Sequence, residues 1–161
     1  MKLRNFLAMM AVAFCTMGVT ACDDDDDDYV PTAADVVKGV YEGEVNMSVM
    51  NEDQPTIKGT TTVKAQSNGK VELTLPQMSM NMGPKPVVMP AVKVSNVEIK
   101  KVAENKFELE VGAFNQVIGD KNFKSTGLKG VIEGNEIELN YDMTPGAMPF
   151  PIITKFEGKK K

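Results

Sequence analysis

Three pairs of glutamates are the only catalytic raw material this chain offers: Glu42 with Glu44, Glu108 with Glu110, and Glu136 with Glu138. Carboxylates two residues apart on a strand project from one face, and a facing acid and nucleophile is what glycoside hydrolysis uses. The same parity argues against that chemistry. Each pair alternates with large apolar residues, so it lies opposite the core face, where a carboxylate is solvated. Composition closes the other routes. The 161 residues contain no His and no Trp, and the two cysteines, Cys15 and Cys22, fall in the first 22 positions. A serine–histidine or cysteine–histidine nucleophile, a His-ligated zinc and a disulfide in the body of the chain are thereby excluded. No catalytic residue is assigned, and a non-enzymatic protein is expected.

Methionine is the second candidate. Met78, Met80 and Met82 alternate after Pro76, so on an extended segment their thioethers share a face. Three readings compete. Methionine is the adaptable filler of irregular cores. The same adaptability suits a pocket for a greasy ligand, with Met47, Met89, Met143, Met148, Tyr41, Tyr141 and Phe150 as the other candidate ligand-binding residues. Alternating thioethers could also hold Cu(I), but without a nearby His or thiolate no metal site and no cofactor are expected. Sugar platforms need exposed Trp or Tyr, and with 6% aromatics a glycan site has little support. The net charge of −4 includes no basic stripe, so nucleic acid is not an expected partner.

Lys2 and Arg4 precede an almost wholly apolar stretch from Phe6 to Gly18, which is too short for a stable membrane span and flanked as a secretory signal is. Residues 1–21 are expected to be a signal peptide. They lead into Val19-Thr20-Ala21-Cys22, which resembles a bacterial lipobox: an aliphatic residue, two small ones that let the backbone enter the peptidase, then the cysteine that carries diacylglycerol. Bulky Phe14 disqualifies Cys15 from the same role. Lipidation at Cys22 would tie the protein to a membrane without a transmembrane helix, since acyl chains such as palmitate contribute ~0.8 kcal/mol per buried CH₂.

Loss of Lys2 and Arg4 leaves 16 basic residues against 22 acidic ones, and the excess is the run Asp23, Asp24, Asp25, Asp26, Asp27 and Asp28. Adjacent like charges repel and keep such a tether extended in water. Calcium binding is disfavoured, because a run of this kind lacks a fixed oxygen cage. Acidic residues directly after a lipidated cysteine resemble the export signal of surface lipoproteins in Bacteroidetes-type bacteria. That implies an outer-membrane anchor facing the cell surface, with a periplasm-facing anchor as the alternative.

Residues 22–38 form the lipidated cysteine, tether and a turn or two of helix, for which Thr32 and Asp35 have capping-box spacing. From residue 39 to 160 the pattern is period two. Tyr41, Val45, Met47 and Val49 alternate with Glu42, Glu44, Asn46 and Ser48, and the alternation recurs around Val71, Phe107 and Ile137. Parity switches between Val94 and Val97, which predicts a bulge at Ser95-Asn96. Asn68-Gly69 and Gly134-Asn135 signal hairpins, and the proline clusters at 84–90 and 145–151 signal loops or strand edges. The expectation is all-β, a small antiparallel barrel of about eight to ten strands. Tyr41-Glu42-Gly43 and Phe156-Glu157-Gly158 match as first and last strands, so pairing them would close the sheet.

These residues carry a resemblance. Gly39-Val40-Tyr41-Glu42-Gly43, the Asn68-Gly69 hairpin, the Pro76–Pro90 stretch, Thr126 to Gly130, Pro145 to Pro149 and Phe156-Glu157-Gly158 resemble the calycin-like (lipocalin-like) β-barrel lipoproteins of Bacteroidetes over roughly Val37 to Lys159. True lipocalins open with Gly-x-Trp, and Tyr41 stands where that Trp would be. The resemblance implies an antiparallel barrel able to hold a small apolar ligand, and it brings no activity with it.

Two function classes follow. In the first, the lipid-anchored barrel is a binding module for a hydrophobic small molecule or lipid. In the second, the barrel is solid and contacts a surface protein partner through Asn51–Pro55, Phe114–Phe123 and Thr144–Pro151, the last presenting Met148 and Phe150 as an exposed knob. About eight strands leave an interior only just wide enough for side chains to fill, which keeps the second class in play.

Overall fold

Residues 30–81, 83, 84 and 86–161 are described by the computed structural model. Cys22, the Asp23–Asp28 run and Met82 lie outside the described residues. The chain enters through helix α1 (Ala33–Val37), where the Thr32 hydroxyl accepts from the Asp35 amide at 3.3 Å and the Asp35 carboxylate accepts from the Thr32 amide at 3.1 Å. This is the reciprocal cap expected from the spacing. Its buried face is Ala34 and Val37.

Thirteen strands follow among the described residues: β1 (Gly39–Val49), β2 (Glu52–Asp53), β3 (Ile57–Ala65), β4 (Val71–Leu75), β5 (Met78–Asn81), β6 (Pro86–Met89), β7 (Val92–Ala103), β8 (Lys106–Val111), β9 (Phe114–Ile118), β10 (Lys121–Ser125), β11 (Leu128–Glu133), β12 (Glu136–Pro145) and β13 (Ile152–Lys160). Eight of them, β1, β3, β4, β7, β8, β11, β12 and β13, each pair antiparallel with the next, and β13 returns to β1. The result is a closed up-and-down barrel without a free edge in its wall. Val71 faces Val97 while Leu73 faces Val94, so the bulge falls at Ser95-Asn96, with Asn96 at φ 60°. Gly69 and Gly134 turn their hairpins at φ 76° and 59°. Alternation becomes burial: Tyr41, Leu73, Leu109, Ile132, Leu139 and Phe156 are all fully buried, whereas Glu42, Glu44, Glu108, Glu110 and Glu136 are exposed.

The closing seam runs from Tyr41 opposite Lys160 to Val49 opposite Ile152. In its middle Gly43 faces Gly158 on one side and Gly59 on the other, an inward row of glycines across three strands. A Cβ on Gly43 would land on the carbonyl oxygen of Glu157 and on the backbone of Gly158. Only glycine lets the strands approach this closely, which coils the sheet tightly at the seam.

Tyr41 closes the helical end. It is wholly buried and its hydroxyl donates to the Val37 carbonyl at 2.7 Å, tying the first strand to α1. The tyrosine thus seals the end where the family pattern implies a Trp. Burial pushes its pKa up to about 12, and raises that of buried Tyr141 as well.

Two predictions follow from this packing. Gly43→Ala should lower unfolding free energy by about 3 kcal/mol, because the obstructing atoms are backbone and cannot rotate away. Gly112→Ala is the control, since nothing lies within 4 Å of its added carbon. Equal denaturant midpoints for the two variants would refute the seam's tightness. The second concerns alkali. Because the folded pKa of Tyr41 is raised above the unfolded value of about 10, its contribution is intact below that pH and is lost as pH climbs toward 12. Tyr41→Phe should cost about 1 kcal/mol at neutral pH. Urea midpoints measured from neutral to alkaline pH should show its gap from the parent chain closing over that window; a constant gap would contradict the assignment.

Candidate binding site

The opposite end of the barrel is built from methionine. Leu75 pairs directly with Val92, so the residues between them leave the wall as an excursion at the mouth. Pro76 and Pro90 flank it; proline donates no amide to a ladder, which separates the excursion from β4 and β7. Within it β5 and β6 form their own two-stranded sheet, with Met78 opposite Met89 and Met80 opposite Val87. Met78, Met80 and Met89 are buried while Ser79 and Asn81 are exposed. The alternation of thioethers therefore faces the barrel interior.

Met78 meets two buried hydroxyls. Its sulfur accepts from the Tyr141 hydroxyl at 3.8 Å and from the Thr154 hydroxyl at 3.9 Å. Those two residues are cross-strand neighbours, and Met47 sits opposite Thr154 on the other side, so Met47, Thr154 and Tyr141 form one row across β1, β13 and β12. Met143 lies opposite Ile152, one inward position nearer the rim. The structure thus brings together Met47, Met78, Met80, Met89, Tyr141 and Met143, all buried. Tyr41 belongs to the other end, six residues from Met47 and so about 20 Å along the strand.

Two expectations are corrected here. Met148 and Phe150 are not an exposed knob: both are half-buried against the core. A tight turn, Met148 amide to Pro145 carbonyl at 3.1 Å, with Gly146 bonded to the Asn122 carbonyl at 2.7 Å, folds this proline-rich loop back on the barrel. Phe114–Phe123 is also not a loop. It holds the hairpin of β9 and β10, whose Phe123 and Lys124 pair with Pro145 and Thr144 to extend the sheet beside β12. Phe123 is buried, with Phe114 and Ile118 half-buried. Asp142 secures the chain's exit from this hairpin, accepting from the Thr126 amide at 2.9 Å and the Thr126 hydroxyl at 2.7 Å. The alternation of Phe114, Gln116 and Ile118 before Gly119 is the signal that reveals the hairpin; Thr154, a lone threonine among apolar residues, carries none.

No charged side chain is among the buried residues described. Among the described residues the buried polar side chains are Thr61, Ser125 and Thr154. The carboxylates stay outside, where Glu136 meets Lys159 at 2.9 Å, Glu110 meets Lys129 at 3.4 Å, and Lys155 bridges Glu138 at 3.2 Å and Glu157 at 3.0 Å. Hydrogen bonds from Asn140 and Lys155 hold the Glu138 carboxyl below its ordinary range. A carboxylate so held is a poor general acid. A shallow groove of about 580 Å³ over the glycine row is lined by these surface charges, including Glu42, Glu44, Glu136 and Lys159.

No curated protein matches the chain. Among solved structures it is similar to a Bacteroides fragilis NCTC 9343 protein assigned provisionally to the outer membrane, with a TM-score of 0.69 and 25% identity. The match covers 82% of this chain and 54% of the other, so the chain spans about half the length of that relative. Residues 37–159, from the last residue of α1 to one residue short of the end of β13, match the family profile described as the calycin-like beta-barrel domain. The chain belongs to the calycin-like β-barrel domain family.

Proposed function

We propose that this protein is a non-enzymatic binding module of the cell envelope, tethered by lipid on Cys22 and taking a hydrophobic small molecule or lipid into the methionine-lined end of its barrel. A calycin-like barrel is a binding fold, and the observation that carries the reading is the separate hairpin at the mouth. Among the described residues the β5–β6 sheet has no ladder to the barrel wall, and it stoppers the interior with Met78, Met80 and Met89. Unbranched thioether side chains adapt to guests of loose shape, and moving this hairpin breaks no ladder bond of the barrel wall, only the two weak bonds that Tyr141 and Thr154 donate to the Met78 sulfur. The acidic run after Cys22 and the provisional outer-membrane assignment of the similar B. fragilis protein support an outer-membrane, surface-facing location.

The alternative, docking of a protein partner, draws on one observation. β9 ends the sheet order, and Val117 on it is 66% exposed, so an apolar strand edge is open to solvent.

Organic extraction of the protein purified from its envelope, followed by mass spectrometry, tests the leading reading. A lipid-class molecule is expected in near-equimolar amount, with a hydrophobic dye competing for the same site in saturable fashion. Protein free of extractable lipid that also fails to saturate with dye would overturn it.

A further inference from the structure

Two hydroxyls inside the mouth lack a strong acceptor. Tyr141 and Thr154 are 4% and 1% exposed, and the partner of each hydroxyl is the sulfur of Met78, at 3.8 and 3.9 Å. A thioether is a weak acceptor, and buried hydroxyls ordinarily find oxygen or nitrogen. Both donors converge on one point, and what fills that point rides on a hairpin outside the barrel ladder. An oxygen placed there would receive two O–H hydrogen bonds. Tyr141 is held in its protonated, donating form by burial. The rest of the surroundings, Met47, Met143, Met80 and Met89, is apolar and buried.

The charge of such an oxygen is also restricted. No Lys or Arg is among the buried residues described. An ionised head would be desolvated without a counter-charge, which costs far more than two hydroxyls return. Water can fill the point when the hairpin lifts, but it offers no apolar body to the surrounding thioethers.

We infer that the mouth selects an uncharged amphiphile, an apolar chain bearing a neutral carbonyl or ester oxygen, with that oxygen replacing the Met78 sulfur between Tyr141 and Thr154. This rests on the binding-module reading and adds the class of ligand. Met78 acts as an internal place-holder that keeps the donors occupied until a ligand arrives.

The test uses the polypeptide from Cys22 onward without its acyl chains, carrying ¹³C-methyl methionine and titrated with three probes of matched chain length. These are methyl decanoate, decane, and decanoate near pH 8, well above a carboxyl pKa of about 4–5. Methyl decanoate is expected to bind about tenfold more tightly than the other two, with its largest shift on the Met78 methyl. Thr154→Val, nearly isosteric, and Tyr141→Phe should each erase most of that preference while leaving decane within about twofold. Two independent variants guard against one failing to fold, which circular dichroism checks. An ester preference unchanged in both, or decanoate as the tightest ligand, would overturn the inference. Decane binding as tightly as the ester removes the inference but leaves the binding module standing; no binding of any probe to the parent chain removes both.

Discussion

The pairing of β1 with β13 is the contact on which the rest of this structure depends. Every other barrel pairing joins strands that are consecutive in the barrel, with at most one hairpin between them, but this one joins Tyr41 to Lys160 and Val49 to Ile152 across the whole length of the domain. Bringing those ends together carries the largest loop-closure entropy in the fold. Nine paired positions and the burial of Val45 and Phe156 offset it. Open, the sheet would present two unpaired edges; closed, it has an inside that can be kept dry. The glycine row Gly59, Gly43, Gly158 is what lets the seam coil tightly enough to close on eight strands.

Closure also gives the barrel two unlike ends. At one, α1 packs against β3 and β7, and the Tyr41 hydroxyl is spent on the Val37 carbonyl at 2.7 Å. At the other, the same kind of group, the Tyr141 hydroxyl, faces a thioether. One tyrosine's hydrogen bond is used to fix the fold, and the other's is left weakly used beneath a detached hairpin. A tyrosine hydroxyl left on a thioether beneath a separate hairpin fits an end that opens, because buried hydroxyls ordinarily find oxygen or nitrogen acceptors.

Much of this was legible in the residues themselves. Period-two alternation is strict on a barrel wall because one face is buried throughout, so Tyr41, Val45 and Phe156 declared both their strands and their side. The bulge at Ser95-Asn96 was legible because a parity switch has one physical meaning, and the Thr32 cap because its partners are three residues apart. What failed was tertiary. Prolines around Met148 and Phe150 mark a loop but not whether it folds back on the core. The hairpin of β9 and β10 was missed because its strands are five residues each and partly polar. The meeting of Met78 with Tyr141 and Thr154, 63 and 76 residues away, was illegible because closure alone brings them together.

Residue-resolved amide hydrogen exchange on the folded protein bears most directly on a barrel that is locked at its seam and free to open at its mouth. Amides of Val45 and Phe156 should exchange only through global unfolding, whereas amides in β5 and β6 should exchange at least about a hundredfold faster, by local opening that added denaturant hardly accelerates. Equal protection in the seam and in the Met78–Met89 hairpin would contradict it.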